Sequence, residues 1–172
     1  MAFEVKMYSK KDIETVLLKS STYLTKSIEA FLIGGCAMTF RNLKPATKDA
    51  DLLLEDDLSE QRLFEALKKA GLEELFPGSY QQDVKAKDIL ISKDGLQFDL
   101  FAKTVMGGLT LSKSMKKRSQ KHAEYNNLKV FIASKEDIFL FKAITNRPYP
   151  RDFEDMITLQ QSGLNRLNLD NN

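Results

Sequence analysis

Hydrophobic positions change their spacing several times along this chain, and each change marks an element. Ile13, Val16, Leu17 and Leu24 recur at helical spacing behind Ser9, a residue suited to N-capping, with Asp12 in the first turn. The pattern predicts a helix running to about Thr25. Ala30-Phe31-Leu32-Ile33 is instead a continuous apolar run ended by Gly34-Gly35, which reads as a buried strand meeting a turn, with a helix starting over Cys36 to Phe40. From Asp49 to Leu54 two acids alternate with Ala50, Leu52 and Leu54, a second strand. Ser59 is positioned to cap a helix that turns Leu63, Phe64, Leu67 and Ala70 inward and stops at Gly71.

Between Val84 and Phe101 the pattern is that of a hairpin. Lys87 to Lys93 and Leu96 to Phe101 flank Asp94-Gly95, a dipeptide suited to a two-residue turn. The second arm puts Leu96, Phe98 and Leu100 on one face and displays Gln97, Asp99 and Phe101 on the other. A basic helix or loop covers Leu109 to Lys121, a strand runs from Leu128 to Ile132, and helices follow over Ser134 to Thr145 and Pro150 to Ser162, the last stopped by Gly163. The fold class is mixed α/β (α+β). No repeat or convincing linker divides the chain, so residues 1–164 form one expected domain, helical from about 134 to 164, followed by a polar tail over 165–172.

Composition narrows the class without naming a partner. At 172 residues, with 42% hydrophobic and 29% charged residues, the chain is long enough for one core and needs no staple. The single cysteine, Cys36, excludes an internal disulfide, and no apolar run approaches the roughly 20 residues that span a bilayer. A soluble, cytoplasmic protein with no membrane partner is expected. The net charge of +2 is too small to indicate nucleic acid by itself. Its distribution is uneven, with acids at Asp49, Asp51, Glu55, Asp56 and Asp57 and bases at Lys113, Lys116, Lys117, Arg118 and Lys121.

The acids carry the candidate chemistry. Two residues apart in a strand, Asp49 and Asp51 point to the same face and repel, a cost relieved by open solvent or by a hard divalent cation. Asp99 completes a three-carboxylate cluster if its strand neighbours theirs, and three such ligands suit two-metal phosphoryl chemistry. Gly34-Gly35, after a strand and before a helix, permits close approach of an anion to backbone N–H groups; the alternative is a plain tight turn. An acidic pair in a strand is, alternatively, a solvated face.

Phe31-Leu32-Ile33-Gly34-Gly35, followed after a short connection by Asp49-Ala50-Asp51-Leu52, resembles the signature of the DNA polymerase β-like nucleotidyltransferase superfamily. Phe98-Asp99-Leu100 resembles its third acidic position. Within it, Gly34-Gly35-Cys36-Ala37-Met38, Ala46-Thr47-Lys48-Asp49-Ala50-Asp51-Leu52, Ala133 to Ala143 and Arg151-Asp152-Phe153-Glu154-Asp155 are most similar to small prokaryotic proteins related to abortive-infection nucleotidyltransferase toxins. The resemblance implies a short mixed sheet flanked by helices, bound Mg²⁺ (or Mn²⁺), and transfer of a nucleoside monophosphate from a triphosphate such as ATP to a hydroxyl. It implies that Asp49, Asp51 and Asp99 are metal ligands and catalytic residues, Asp99 acting as the base. It further implies that Gly34, Gly35, Lys48, Lys142 and Arg151 contact the nucleotide, that the acceptor is an RNA such as tRNA or a protein, and that an antitoxin is a partner. Two positions depart from the pattern: Gly35 stands where many active members have serine, and Ala50 where a larger aliphatic side chain is usual. A catalytically weak or inactive module that binds a nucleotide or nucleic acid, or an interaction protein paired with an antitoxin, is therefore the alternative function.

Other residues carry weaker signals. Lys142, among Ile138, Phe139, Phe141 and Ile144, either reaches a polar cleft or lays its stem along the surface. Arg151 and Asp155 have the spacing of an exposed helical ion pair. The basic run from Lys113 to Lys121 either tracks a nucleic-acid backbone or is a solvated surface. His122 lacks partners at zinc-ligand spacing, and Cys36 reads as a small core hydrophobe.

Overall fold

The computed structural model describes residues 5–75, 88–105, 108–145, 150–165 and 169. Helix α1 (Lys10–Ser21) begins as expected: the Ser9 hydroxyl accepts from the Asp12 N–H at 3.3 Å, and the Asp12 carboxylate accepts from the Ser9 N–H at 2.7 Å. Ile13 and Leu17 on its inner face are fully buried. Strand β1 (Ile28–Ile33) runs directly into α2 (Gly34–Phe40), so the helix starts at the glycine pair itself, two residues before the expected Cys36. β2 (Asp49–Leu54) has the expected bounds.

Helix α3 (Asp57–Lys69) is capped by Asp56, whose carboxylate accepts from the Ser59 N–H at 2.7 Å; the expected cap Ser59 is the recipient, inside the first turn. β3 (Glu73–Glu74) and β4 (Asp88–Ile91) precede β5 (Gln97–Ala102). The β4–β5 hairpin exists, but its turn has three residues rather than two. Ser92 N–H bonds the Leu96 carbonyl, Gly95 N–H bonds the Ser92 carbonyl, and Gly95 takes φ +90°. The expected beginning of this hairpin, from Val84 to Lys87, lies outside the described residues.

A small ribbon, β6 (Thr104–Val105) with β7 (Leu109–Thr110), leads to α4 (Lys113–Arg118), β8 (Gln120–Tyr125) and β9 (Leu128–Ile132). The expected basic helix or loop thus resolves into a strand, a short helix and the start of another strand. α5 (Lys135–Thr145) is capped by Ser134, and α6 (Pro150–Gln161) follows. Of the expected tail, Asn165 has its backbone N–H on Glu136 Oε1 at 2.7 Å, while 166–168 and 170–172 lie outside the described residues.

Seven strands form one sheet in the order β3-β4-β5-β2-β1-β9-β8. β1 pairs antiparallel with β2 and parallel with β9, and β2 pairs parallel with β5. Nearly every residue of β1, β2 and β5, the central strands, is shielded from solvent. α2 packs on β1 and β2, α3 on β2, β4 and β5, and α5 against α2 and α6. This is the mixed α/β class and the C-terminal helices that the pattern predicts, with the mixed sheet flanked by helices that the resemblance implies. No described helix is long and apolar enough to cross a membrane.

Candidate active site

Strand direction and register gather the acidic residues at one end of the sheet. β1 arrives there at Ile33, which pairs with Asp51; β2 leaves from the same end, and β5 leaves beside it. In the β2–β5 register Asp51 faces Asp99 and Asp49 faces Gln97. Partners in a parallel pair lie about 4.8 Å apart and residues two apart share a face, so Asp49, Asp51, Gln97 and Asp99 form a square of polar side chains on one surface. Asp99 is buried, not displayed: the overlying structure leaves it 4% exposed, and the Gln97 amide donates to its Oδ1 at 2.6 Å. Among the described residues, no three or more His, Cys, Asp or Glu side chains are gathered in a group able to hold a metal ion. The backbone brings the three acids into adjacent positions without their carboxylates closing on one point.

Gly34 makes the approach of α2 to this surface possible. Its φ is +62°, and a Cβ on it would lie 2.5 Å from Asp51 Oδ2, so no other residue fits this turn without displacing the carboxylate. Gly35 is different: a Cβ there would meet Thr47 Oγ1 at 3.4 Å and Lys44 Nζ at 3.8 Å, ordinary contacts. Cys36 is fully buried one residue later. Its thiol is pushed well above the ordinary value, first by burial and then by the negative charges of Asp51 and Asp49, so it stays protonated and packs as the hydrophobe expected.

The cation at the glycine turn is Lys44, which sequence reasoning missed. Its ammonium lies beside Gly35 and bonds Asp155 Oδ1 at 2.9 Å. Asp155 Oδ2 in turn meets Lys142 at 2.8 Å, and Lys142 also bonds Asp152 at 3.0 Å. Lys142 is 8% exposed and ties α5 to α6, its head held by carboxylates rather than carried by a stem laid along the surface. Asp155 serves Lys44 and Lys142 rather than the expected Arg151, which is exposed on α6. Lys48 is exposed immediately before β2. Nothing in the local pattern marks Lys44, since its neighbours arrive from Gly35 and from α6. A hint existed for Gln97, which alternates with Asp99.

The basic segment is largely spent on structure. Arg118 grips the buried Asp137 with two bonds, at 2.7 and 3.2 Å, Lys116 meets Glu55, and Lys121 meets Glu124 at 2.6 Å. His122 Nε2 lies 2.6 Å from Glu14 and edge-on to Phe40, joining β8 to α1.

The donor set at the acidic square consists of carboxylate and amide oxygens, the hard ligands that Mg²⁺ and Mn²⁺ take, so the residues fit such an ion by chemistry. The chain aligns with the lincomycin-bound crystal structure of the lincosamide antibiotic adenylyltransferase LnuA at a TM-score of 0.61 and 15% identity, covering 92% of this chain and 100% of that one. It also aligns with a Thermotoga maritima protein, TM1012, assigned as a nucleotidyltransferase, at a TM-score of 0.56 and 13% identity, covering 90% and 94%. No family model matches the chain, and no curated protein matches it by sequence. At such identities the likeness is one of fold: the architecture is that of nucleotidyltransferases.

Proposed function

We propose that this chain is a divalent-metal-dependent nucleotidyltransferase acting as a single unit over residues 1–164, with Asp49, Asp51 and Asp99 as its catalytic set. One observation carries the reading: Asp51 and Asp99 are register partners on parallel strands, with Asp49 on the same face and the Gly34 turn against Asp51. A structural protein gains nothing from three acids on one surface, one of them buried, where neutral side chains would avoid their mutual repulsion. Asp49, Asp51 and Asp99 would hold the ion. When bound, a divalent ion neutralises charge on the reacting phosphates and makes a hydroxyl more acidic.

The residues of the chain divide the remaining work. Asp99 accepts the proton of the acceptor hydroxyl, whose oxygen then bonds the α-phosphorus of the triphosphate. The bond from that phosphorus to the oxygen bridging to the β-phosphate breaks, and pyrophosphate leaves with the electron pair. The Gly34-Gly35 backbone lets the polyphosphate approach closely. Lys44, next to Gly35, supplies positive charge there, and the exposed Lys48 and Arg151 are further contacts from the loop before β2 and from α6. Lys142 acts at one remove, by holding Asp155 where Asp155 meets Lys44.

The acceptor is a hydroxyl of an RNA such as tRNA, of a protein, or, given the likeness to LnuA, of a small molecule. The motif resemblance to abortive-infection toxins favours the first two and an antitoxin partner. Incubation with each labelled triphosphate, Mg²⁺ or Mn²⁺, and total RNA, protein or small hydroxyl compounds is expected to transfer label, and Asp49→Ala to abolish transfer. Transfer that survives Asp49→Ala counts against the site.

A second reading, a nucleotide-binding module without turnover, is favoured by the Gln97 bond that occupies Asp99 and by glycine at position 35. Triphosphate binding by calorimetry with no transfer to any acceptor distinguishes it.

A further inference from the structure

The segment before α1 reaches both strands that carry the acids. The N–H of Tyr8 donates to the Thr47 carbonyl at 2.7 Å and the N–H of Thr47 donates to the Tyr8 carbonyl at 2.9 Å, an isolated antiparallel bridge two residues ahead of Asp49. The Thr47 hydroxyl continues the connection by donating to the Asp49 carbonyl at 3.0 Å. From the same residue the Tyr8 hydroxyl donates at 2.7 Å to the carbonyl of Asp94, in the turn that starts β5, and Lys6 donates to that carbonyl at 2.9 Å. Gly95 admits this contact: a Cβ there would lie 2.9 Å from the Tyr8 oxygen. Tyr8 is 5% exposed and belongs to the core, so its ring is held as firmly as its backbone.

We infer that Tyr8 is a positioning residue for the carboxylate set, clamping the start of β2 to the start of β5 so that Asp49 and Asp51 stay in step with Asp99. The inference rests on the proposed role of those three acids. Strand pairing fixes which residues face each other, but the first residues of a strand have bonds on one side only and fray most readily. Asp49 and Gln97 are those first residues here, and Tyr8 is bonded just outside both. Its ring spans the gap and its hydroxyl supplies the second anchor, which phenylalanine lacks. The hydroxyl stays protonated and able to donate, since burial, then the charges of Asp94 and Asp12, raise its pKa.

The test uses Mn²⁺ binding by the folded full chain, followed by its electron paramagnetic resonance signal, beside label transfer. Tyr8→Phe keeps the ring and removes one bond. It is expected to weaken Mn²⁺ binding by about tenfold, the low end for loss of a residue that supports a metal ligand, and to lower kcat with KM for the triphosphate unchanged. Val130→Ala, in β9 two strands away from β2, is expected to lower the melting temperature and leave Mn²⁺ affinity unchanged, which separates positioning from general loosening. Asp51→Asn is expected to abolish binding. Wild-type Mn²⁺ affinity and kcat in Tyr8→Phe, with binding lost in Asp51→Asn, overturn the role of Tyr8 alone. Binding unchanged in Asp51→Asn overturns the site and this inference together.

Discussion

Gly34→Ala tests the site through its tightest contact. The added methyl has two consequences that can be sized separately. At φ +62° an L-residue costs about 1–2 kcal/mol relative to glycine, which sets the expected loss of stability. The new Cβ would also sit 2.5 Å from Asp51 Oδ2, so the carboxylate retreats by about 0.9 Å to reach an ordinary 3.4 Å contact. A displacement of about 1 Å in a reacting or positioning group costs roughly a hundredfold in rate. Urea denaturation should therefore show a loss of about 1–2 kcal/mol, and label transfer a loss of roughly a hundredfold, larger than the folded fraction explains. Gly35→Ala is the control for stability. Its φ is not positive and its Cβ has room, so at a helical position it is expected to be neutral or to gain about 0.5 kcal/mol. Transfer within twofold of wild type in Gly34→Ala, or an equal loss of stability in Gly35→Ala, would refute the argument that Asp51 and the turn form one unit.

Two further outcomes concern the frame around the site. Lys142→Met strips a common partner from Asp152 and Asp155, both little exposed, and is expected to cost about 3 kcal/mol in urea denaturation, Lys44 still partly compensating Asp155; a loss under about 1 kcal/mol contradicts the network. The helix caps give a pH signature. Hydrogen bonds from Ser9 hold the Asp12 carboxyl below its ordinary value, and the Ser59 N–H, then its side chain, do the same for Asp56. Because the folded values are depressed, the caps stabilise fully above the unfolded value of about 3.9 and lose this contribution as pH falls below it. The deficit of Asp56→Ala, about 1 kcal/mol near neutrality, should shrink as pH is lowered from 5 to 2, and a deficit that grows on acidification contradicts the assignment.

What the sequence disclosed followed from whether a signal was local. β2 and β9 were readable to the residue because their side chains are sorted by burial along the strand. β8 was not: Gln120 to Tyr125 is a polar edge strand with no fully buried side chain, existing through its ladder to β9. β3 is two exposed glutamates held by pairing with β4. The cap of α3 was misassigned because Asp56 and Ser59 are both capping residues at suitable spacing, and only the observed bond separates them. At the site, Asp49, Asp51 and the glycine pair announced themselves within one stretch of chain. That Asp99 stands opposite Asp51, that Asp155 claims Lys44 and Lys142, and that Tyr8 bonds Thr47 and Asp94 are pairings of distant segments that no local pattern encodes.

Ion pairs tie together the scaffold around the acidic square. Arg118 is matched with Asp137, Lys142 with Asp152 and Asp155, and Lys44 with Asp155. On β2 and β5 the register sets Asp51 beside Asp99, and an amide, Gln97, is bonded to the most buried of these acids. Like charges at strand-pair spacing repel, and the Cys36 thiol is pushed up first by burial and then by the charges of Asp51 and Asp49. Lys44, the cation beside Gly35, is itself held by Asp155. Neutral residues in these places would avoid that repulsion; in the proposed reading the local conflict, framed by a glycine that cannot be replaced without moving Asp51, would serve a site for a divalent ion and a polyphosphate.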